Sequence, residues 1–465
     1  MPAKYTGAQD DAAGSEPADL SAWWQQFQDP ELQSLVARAL ESNLDLQTAA
    51  SRIREARAQE IIAGARELPS VNATGLGAYL HSNSNPLAAL SGGGSGGGSG
   101  GSGAGNAGSS SGSSSSDGQT TKLFAVGFDA TWELDLFGGV RRGIEAAHAA
   151  ADAAVWQLRD GEVSLSAEIA VDYLTLCATR TRIRVTQDAI QREQQQLDIT
   201  DARRRFGFVT ELDVNQQRAQ LALTTAELPS LEAEGRALTH ALAVLLGQPP
   251  EAVTDELAKA TDVPSAPPLL PVGLPSDLLR RRPDVRQSER RLAAATAQVG
   301  VAVAQLYPSF DLIGAANYAS NSVDHLISSR HFSGVGAGLI RWPLLTGGAG
   351  HASVKAKEEE RQQAYLAYQQ SVLRALQDAE DSLVRFSAEQ RRLTALLDAQ
   401  TSATSSLDIA RSQYRSGTVP FINVLNAEVT LLDVQNQLTQ SRAALTQALV
   451  SVYKALGGGW RVEPQ

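Results

Sequence analysis

Between residues 122 and 137, KLFAVGFDATWELDLF, apolar and polar side chains change places at every step. Phe124, Val126, Phe128, Ala130, Trp132, Leu134 and Leu136 fall on one face of an extended chain, and Gly127, Asp129, Thr131, Glu133 and Asp135 on the other. A period of two predicts a strand. Partner strands are predicted over 71–80, 309–319 and 332–343, with Tyr318 and Trp342 as aromatic ends. Elsewhere the pattern is helical. From Val140 to about Phe206 there is no proline and only Gly143 and Gly161 interrupt, which predicts a helix of about 67 residues, roughly 100 Å long at about 1.5 Å per residue. Gly350 to Ser416 predicts its counterpart. Coiled-coil packing is the usual reason for such lengths. Gly207 and Gly417 end these helices and new ones follow at once, over about 211–246 and 420–456, so each pair is an antiparallel αα-hairpin. Thr210 with Asp213 reads as a capping box, and Pro420 suits a first helical turn. Two further helices, about 31–66 and 284–306, stop at Leu68-Pro69 and Tyr307-Pro308.

These elements come in two sets. GFVTELDVNQQRAQL (207–221) matches GTVPFINVLNAEVTL (417–431) at an offset of 210 that also takes Trp132 to Trp342 and Gly247 to Gly457. Upstream, NLDLQTAASRIREARAQ (43–59) matches RPDVRQSERRLAAATAQ (282–298) at an offset of 239. The difference is an insertion in the first copy, supplied by the Gly/Ser run at 91–118. Such a run has the composition of a flexible linker, but its register makes it a loop tip inside a repeat. The chain therefore divides into an N-terminal segment (1–30), repeat 1 (31–247), a Pro-rich connection (248–275), repeat 2 (276–457) and a tail (458–465).

Composition narrows the chemistry. A net charge of −11 provides no basic stripe for phosphates, so no nucleic-acid partner is expected. The short arginine runs at 203–205 and 280–282 read as solvated helix faces or end caps. Cys177, the only cysteine, excludes an intramolecular disulfide and reads as a buried small residue among Leu174, Leu176 and Ala178. The six histidines are scattered, so no metal, cofactor or catalytic cluster is expected and the chain does not read as an enzyme. No apolar run is long enough for a spanning helix. The chain opens Met-Pro-Ala-Lys without an apolar signal segment, which leads to the expectation that a targeting segment has been removed.

A roughly ten-residue strand that is apolar on one side and tipped with Trp or Tyr is the signature of an outer-membrane barrel strand. A soluble hairpin lying on a core gives the same alternation. On the membrane reading Phe124, Val126, Phe128 and Trp132 face lipid. Four strands cannot close a barrel and open edges are untenable in lipid, so that reading requires an oligomer of two or three copies.

AWWQQFQDPELQSLVARALESNLDLQTAASRIREARA (22–58) and LPSDLLRRRPDVRQSERRLAAATAQVGVAVAQLYPSFDL (274–312) resemble the hallmark segments of the outer-membrane factor (TolC-like) family, in its OprM/NodT-type branch of multidrug-efflux lipoproteins. The resemblance covers nearly the whole chain except the Gly/Ser insertion. It implies a mainly α fold with a β-barrel part, in which duplicated helical hairpins form a periplasmic tunnel and each protomer adds four transmembrane strands. A homotrimer would then have a twelve-stranded barrel and a twelve-helix tunnel, with a belt built from the N-terminal segment, the 248–275 connection and the tail. The implied role is a passive exit duct for drugs or other small amphiphiles. It would sit in the outer membrane of a Gram-negative bacterium, coupled through a periplasmic adaptor (membrane fusion protein) to an inner-membrane transporter of the resistance-nodulation-division class. Branch members begin at a lipidated cysteine. Here the expectation is that this anchor was lost with the signal peptide and that attachment rests on the barrel.

The resemblance also places a gate at the periplasmic tips. Its positions carry over to Asp213 in the first copy and to Asn423 and Asn426 in the second, with Ile422 as an apolar constriction. Asparagines at these positions lose the charge that would attract a blocking cation. Tyr414 matches a tyrosine that ties neighbouring hairpins, but Val419 stands where a basic residue is expected, which implies a looser polar lock. The turns Gly207-Phe208-Val209-Thr210 and Gly417-Thr418-Val419-Pro420 are the implied adaptor-docking tips. Each assignment has a plainer counterpart: Asp213 as a helix cap, Ile422 as a packing residue, and the glycines as turn residues. Two other functions fit the same pattern: a type I secretion or metal-efflux duct, and a soluble coiled-coil scaffold.

Overall fold

The structure, a computed structural model, describes residues 20–82, 119–258, 262–265, 267 and 278–460. The Gly/Ser run and parts of the N-terminal, connecting and C-terminal segments lie outside the described residues. The chain forms two compact units, one of Met1–Ala58, His148–Ala295 and Glu360–Gln465, the other of Gln59–Ala147 and Thr296–Glu359.

The second unit holds the sheet. Strands β1 (Ser70–Ser82), β2 (Gln119–Leu134), β3 (Ser309–Ser320) and β4 (Phe332–Arg341) pair antiparallel in the order β1-β2-β3-β4. Directly opposed residues share a face. One face carries Phe124, Val126, Phe128 and Trp132 of β2, opposed by Ser320, Tyr318, Ala316 and Leu312 of β3. Tyr318 in turn opposes Phe332 of β4, their rings 5.3 Å apart. The other face of the first copy carries polar pairs at one end, where Asn72 donates to Asp129 at 3.1 Å and Ser70 bonds Thr131 at 2.7 Å, and the apolar pairs Leu76–Ala125 and Ala78–Leu123 at the other. In the second copy that face mixes an Asn317–Ser333 hydrogen bond with Ile313, Val335 and Leu339. The two repeats close their strands in the same way. Trp132 Nε1 donates to the Glu67 carbonyl at 3.0 Å and Trp342 Nε1 to the Leu306 carbonyl at 3.3 Å, each gripping the segment that precedes its partner strand.

The strand predicted over 122–137 stops at Leu134. Leu136 and Phe137 leave the ladder because Asp135 turns its carboxylate to the Arg141 amide at 2.9 Å and Gly138 takes a left-handed φ of 78°. Phe137 stacks on Tyr307 instead, at 4.7 Å.

The helix predicted over 31–66 is two helices, α1 (Pro30–Ser42) and α2 (Leu44–Gly64). Asn43, extended at φ −61° and ψ 130°, breaks the run: its Oδ1 accepts from the Asp45 and Leu46 amides while its Nδ2 donates to the Leu245 carbonyl at 2.9 Å. The sequence repeat turns into a structural one here. The long helices α3 (Gly139–Arg205) and α8 (Ala349–Arg415) are followed by α4 (Glu211–Leu245) and α9 (Phe421–Ala455); short α5 (Thr254–Leu257) lies between the copies, and the second copy opens with short α6 (Leu278–Arg281) and α7 (Pro283–Ala304), the counterpart of α2. Arg282 takes the place of Asn43 and donates to the Ala455 carbonyl at 3.2 Å. The run at 280–282 reads as solvated, but Arg282 is half-buried, its side chain 11% exposed, and also bridges Asp284 at 2.7 Å and Asp378 at 3.0 Å. These carboxylates hold its guanidinium charged despite burial. Gly247 and Gly457 end α4 and α9 at φ 68° and 75°. A Cβ on either would lie 2.7 Å from the Ser42 oxygen or 2.9 Å from the Arg281 oxygen, so glycine is required twice for one reason.

The core of the first unit joins segments distant in sequence: Trp23 and Phe27, Leu32 to Ala39, Ile169 to Cys177, Val253 and Leu257, and Leu449 to Leu456. Cys177 is fully buried, and burial pushes its thiol up to about 12, which makes it unreactive. Among the described residues no helix is long and apolar enough to cross a membrane.

Candidate functional site

The tips of the two helical hairpins are built alike. In the first, the Gly207 amide donates to the Arg204 carbonyl at 2.9 Å and the Phe208 amide to Arg203 at 3.0 Å. In the second, Gly417 donates to Tyr414 at 3.1 Å and Thr418 to Gln413 at 3.0 Å. This pair of bonds is the Schellman termination, and Gly207 and Gly417 supply its left-handed residue at φ 76° and 74°. Val209 and Val419 are half-buried while Phe208, Thr210, Thr418 and Pro420 are exposed. Phe208 is 73% exposed and has neighbours in Phe206 and Leu212, also exposed, so the first tip presents an apolar cluster that the second does not.

Asp213 is half-buried and works as a cap. Its carboxylate accepts from the Thr210 amide at 2.9 Å and the Thr210 hydroxyl at 2.8 Å, and the Thr210 hydroxyl oxygen accepts from the Asp213 amide at 3.3 Å. Thr210→Ala is expected to destabilise this end of α4 by about 0.5–2 kcal/mol, read as faster amide exchange at residues 211–214. Exchange at the wild-type rate would remove the cap from the account.

In the second hairpin, Asn423 and Asn426 are exposed and Ile422 is half-buried, while Phe421, Val424 and Leu407 form a small core with Tyr414 beside it. The structure thus puts Ile422, Asn423 and Asn426 on the first turns of one helix, outside that core. Tyr414 lies 5.3 Å from the Phe421 ring, and burial pushes its phenol upward. Its hydroxyl has no hydrogen-bond partner among the described residues. A cation from the first hairpin meets its face: the Arg203 guanidinium sits 5.1 Å from the ring centroid. Arg203 had been read as part of a solvated run, and Val419 as the loss of a basic partner. The structure supplies the cation from the other hairpin. Periodicity gave one hint, since Arg204 and Arg205 both pair with Asp201 and leave Arg203 to a different side of α3.

The proposed lipid-facing residues also lie together. Phe128 is 62% exposed, and Val126 and Trp132 are exposed beside it. Among the described residues no strand pairs with the outer edge of β1 or β4, and no group of His, Cys, Asp and Glu is arranged to hold a metal ion.

Comparison with known proteins fits this geometry. The chain is 31% identical to the pyoverdine export outer membrane protein OpmQ of Pseudomonas aeruginosa, over 98% of this chain and 91% of that one. It is 29% identical to nodulation protein T of Rhizobium leguminosarum bv. viciae, over 99% and 88%. Among solved structures, the outer-membrane channel OprN superposes with a TM-score of 0.85 at 32% identity, covering 99% of this chain and 97% of the channel. The outer membrane protein VceC of Vibrio cholerae gives 0.81 at 25% identity, covering 96% and 100%. A sequence profile of the outer membrane efflux protein family matches residues 35–248 and 274–458, one match in each repeat. This chain belongs to the outer membrane efflux protein family.

Proposed function

We propose that three copies of this chain pair β1 of one protomer with β4 of the next and close a barrel in the outer membrane of a Gram-negative bacterium. The helical hairpins then form the periplasmic part of a passive exit duct. The observation that carries this reading is the sheet, with its exposed apolar face around Phe128 and two unpaired edge strands. In lipid every backbone group must be satisfied internally, so such edges require partners of the same kind. Three copies of the four strands make twelve, an even number within the range of bacterial barrels.

The duct works in a tripartite pump with a periplasmic adaptor, which docks on the tips at 207–210 and 417–420, and an inner-membrane transporter of the resistance-nodulation-division class. The exposed Phe206 and Phe208 give the adaptor an apolar hold at the first tip. Relatives named for pyoverdine, toluene and cation export share most of this chain's length. That spread supports a duct whose cargo, here drugs or other small amphiphiles, is chosen by its partners.

Ile422, Asn423 and Asn426 line the closed end, and the Arg203–Tyr414 contact holds the two hairpins of a protomer together there. In planar bilayers Ile422→Ala and Arg203→Ala should each raise single-channel conductance, while Asn426→Ala should do little. Unchanged conductance in Ile422→Ala removes it from the constriction. Electron microscopy of the detergent-purified protein tests the assembly: a threefold particle is expected, and a monomer that stays dispersed without detergent overturns the duct.

A further inference from the structure

Higher up the hairpins, two glutamates occupy an interior position that the duct alone does not require. Glu193 on α3 is only 6% exposed. Its Oε1 accepts from the Thr224 hydroxyl of α4 at 3.1 Å, and its backbone oxygen accepts from Gln217 Nε2 at 3.2 Å. Glu428 on α9 is paired on one side by Arg411 of α8 at 2.8 Å, with its side chain 13% exposed. Counted from the glycine turns at about 1.5 Å per residue, both glutamates stand about 16–21 Å up the hairpins, on helices from different repeats. Each has one oxygen committed and one left over. Glu193 Oε2, Glu428 Oε2 and the Gln217 side-chain oxygen are all buried with no hydrogen-bond partner among the described residues. Three buried acceptors without a partner are an arrangement that native interiors avoid.

We propose that Glu193, facing Glu428 across the two hairpins, is a proton-binding site that clamps α9 to the first hairpin when it is occupied. A proton on the Glu193 carboxyl adds a donor among these acceptors and removes one of two like charges. The charged groups that act on it are Arg192 from its own helix and Glu428 from α9, the latter partly neutralised by Arg411; from α4 it meets the uncharged Gln217, Gln220 and Thr224. Burial is the main cause that raises the Glu193 carboxyl above the ordinary glutamate range, and the charge of Glu428 adds to it against the Thr224 hydrogen bond. A raised carboxyl favours the packed state as pH falls. The gain begins as pH drops through the packed-state value and is complete below the ordinary glutamate value; it is lost as pH rises. Separation of the hairpins rehydrates Glu193 and releases the proton. The clamp therefore tightens in acid and loosens toward neutral and alkaline pH.

Two measurements on the full-length protein in detergent and in planar bilayers test this. Infrared difference spectroscopy between about pH 5 and pH 8 should show a protonated carboxyl that titrates above the ordinary glutamate range and disappears in Glu193→Gln. Protection from amide exchange at residues 421–435, taken relative to the intrinsic rate at each pH, should rise several-fold on acidification in the wild type and stay high at every pH in Glu193→Gln, whose amide supplies the donor permanently. Glu428→Gln should likewise flatten the profile. A carboxyl band unchanged by Glu193→Gln, or a wild-type pH profile of exchange in that variant, overturns the proton site. The effect on conductance rests on the duct reading: conductance should rise with pH in the wild type and lose that dependence in Glu193→Gln. If the band is lost in the variant but no pore forms, the proton site stands and the duct falls; pores whose pH profile survives the substitution give the reverse.

Discussion

Trp23→Ala should lower the stability of the helical unit by about 3–5 kcal/mol, the cost of emptying a fully buried aromatic site that cannot collapse. Trp23 has no exposed surface. Its ring lies 5.4 Å from Tyr453, 5.7 Å from Trp24 and 6.0 Å from Phe27, and the backbone of Gly458 and Gly459 presses against it so closely that a Cβ on Gly458 would meet Trp23 Cδ1 at 3.1 Å. The Gly459 amide closes the contact by donating to the Leu20 carbonyl at 2.9 Å. Trp23 is thus the wedge between the two ends of the described chain, and its loss frees both. Urea unfolding of the detergent-solubilised protein measures the effect as a fall in midpoint. Trp23→Phe should cost much less, because the indole N–H it deletes has no hydrogen-bond partner among the described residues. Equal midpoints for Trp23→Ala and the wild type would show that this core does not set the stability.

The period-two run at 122–137 and the proline-free stretches around Trp156 and Tyr365 are long signals that tertiary context has little power to override, and both were legible as strand and helix. Asn43 was not. Nothing in ESNLDLQ breaks a helical pattern, and the break exists because Gly247, far away in sequence, brings a backbone close enough for Asn43 to cap two helices at once. Arg282 was missed for the same reason: as one of three consecutive arginines it reads as a surface charge, and only packing supplies Asp378. At the tips, the glycines and the Thr210–Asp213 box follow from local turn chemistry and could be read directly. The partnership of Arg203 with Tyr414 joins two repeats, and Glu193 with Glu428 does so again; spacing within one chain segment can set Arg203 apart from Arg204 and Arg205, but it names neither partner.

Phe128→Arg should block insertion of the sheet into the outer membrane. A cationic side chain on the lipid face near the bilayer midplane costs about 2–4 kcal/mol, and a closed trimer would bear that cost three times. Phe128 stands near the middle of β2, and the residues directly opposite it, Ala73 on β1 and Ala316 on β3, are too small to shield the charge. Thr74→Arg is the matched control. Thr74 lies at the same height, opposite Gly127, on the face that carries Asn72 and Asp129, where an added arginine meets polar groups and water. Membrane fractionation with alkaline extraction distinguishes the two: Thr74→Arg should stay in the membrane pellet and Phe128→Arg should be lost from it. A scaffold that shows both faces to water would treat the substitutions alike, so recovery of Phe128→Arg at the wild-type level would remove the reason for assigning that face to lipid, and with it the need for the edges of β1 and β4 to find each other.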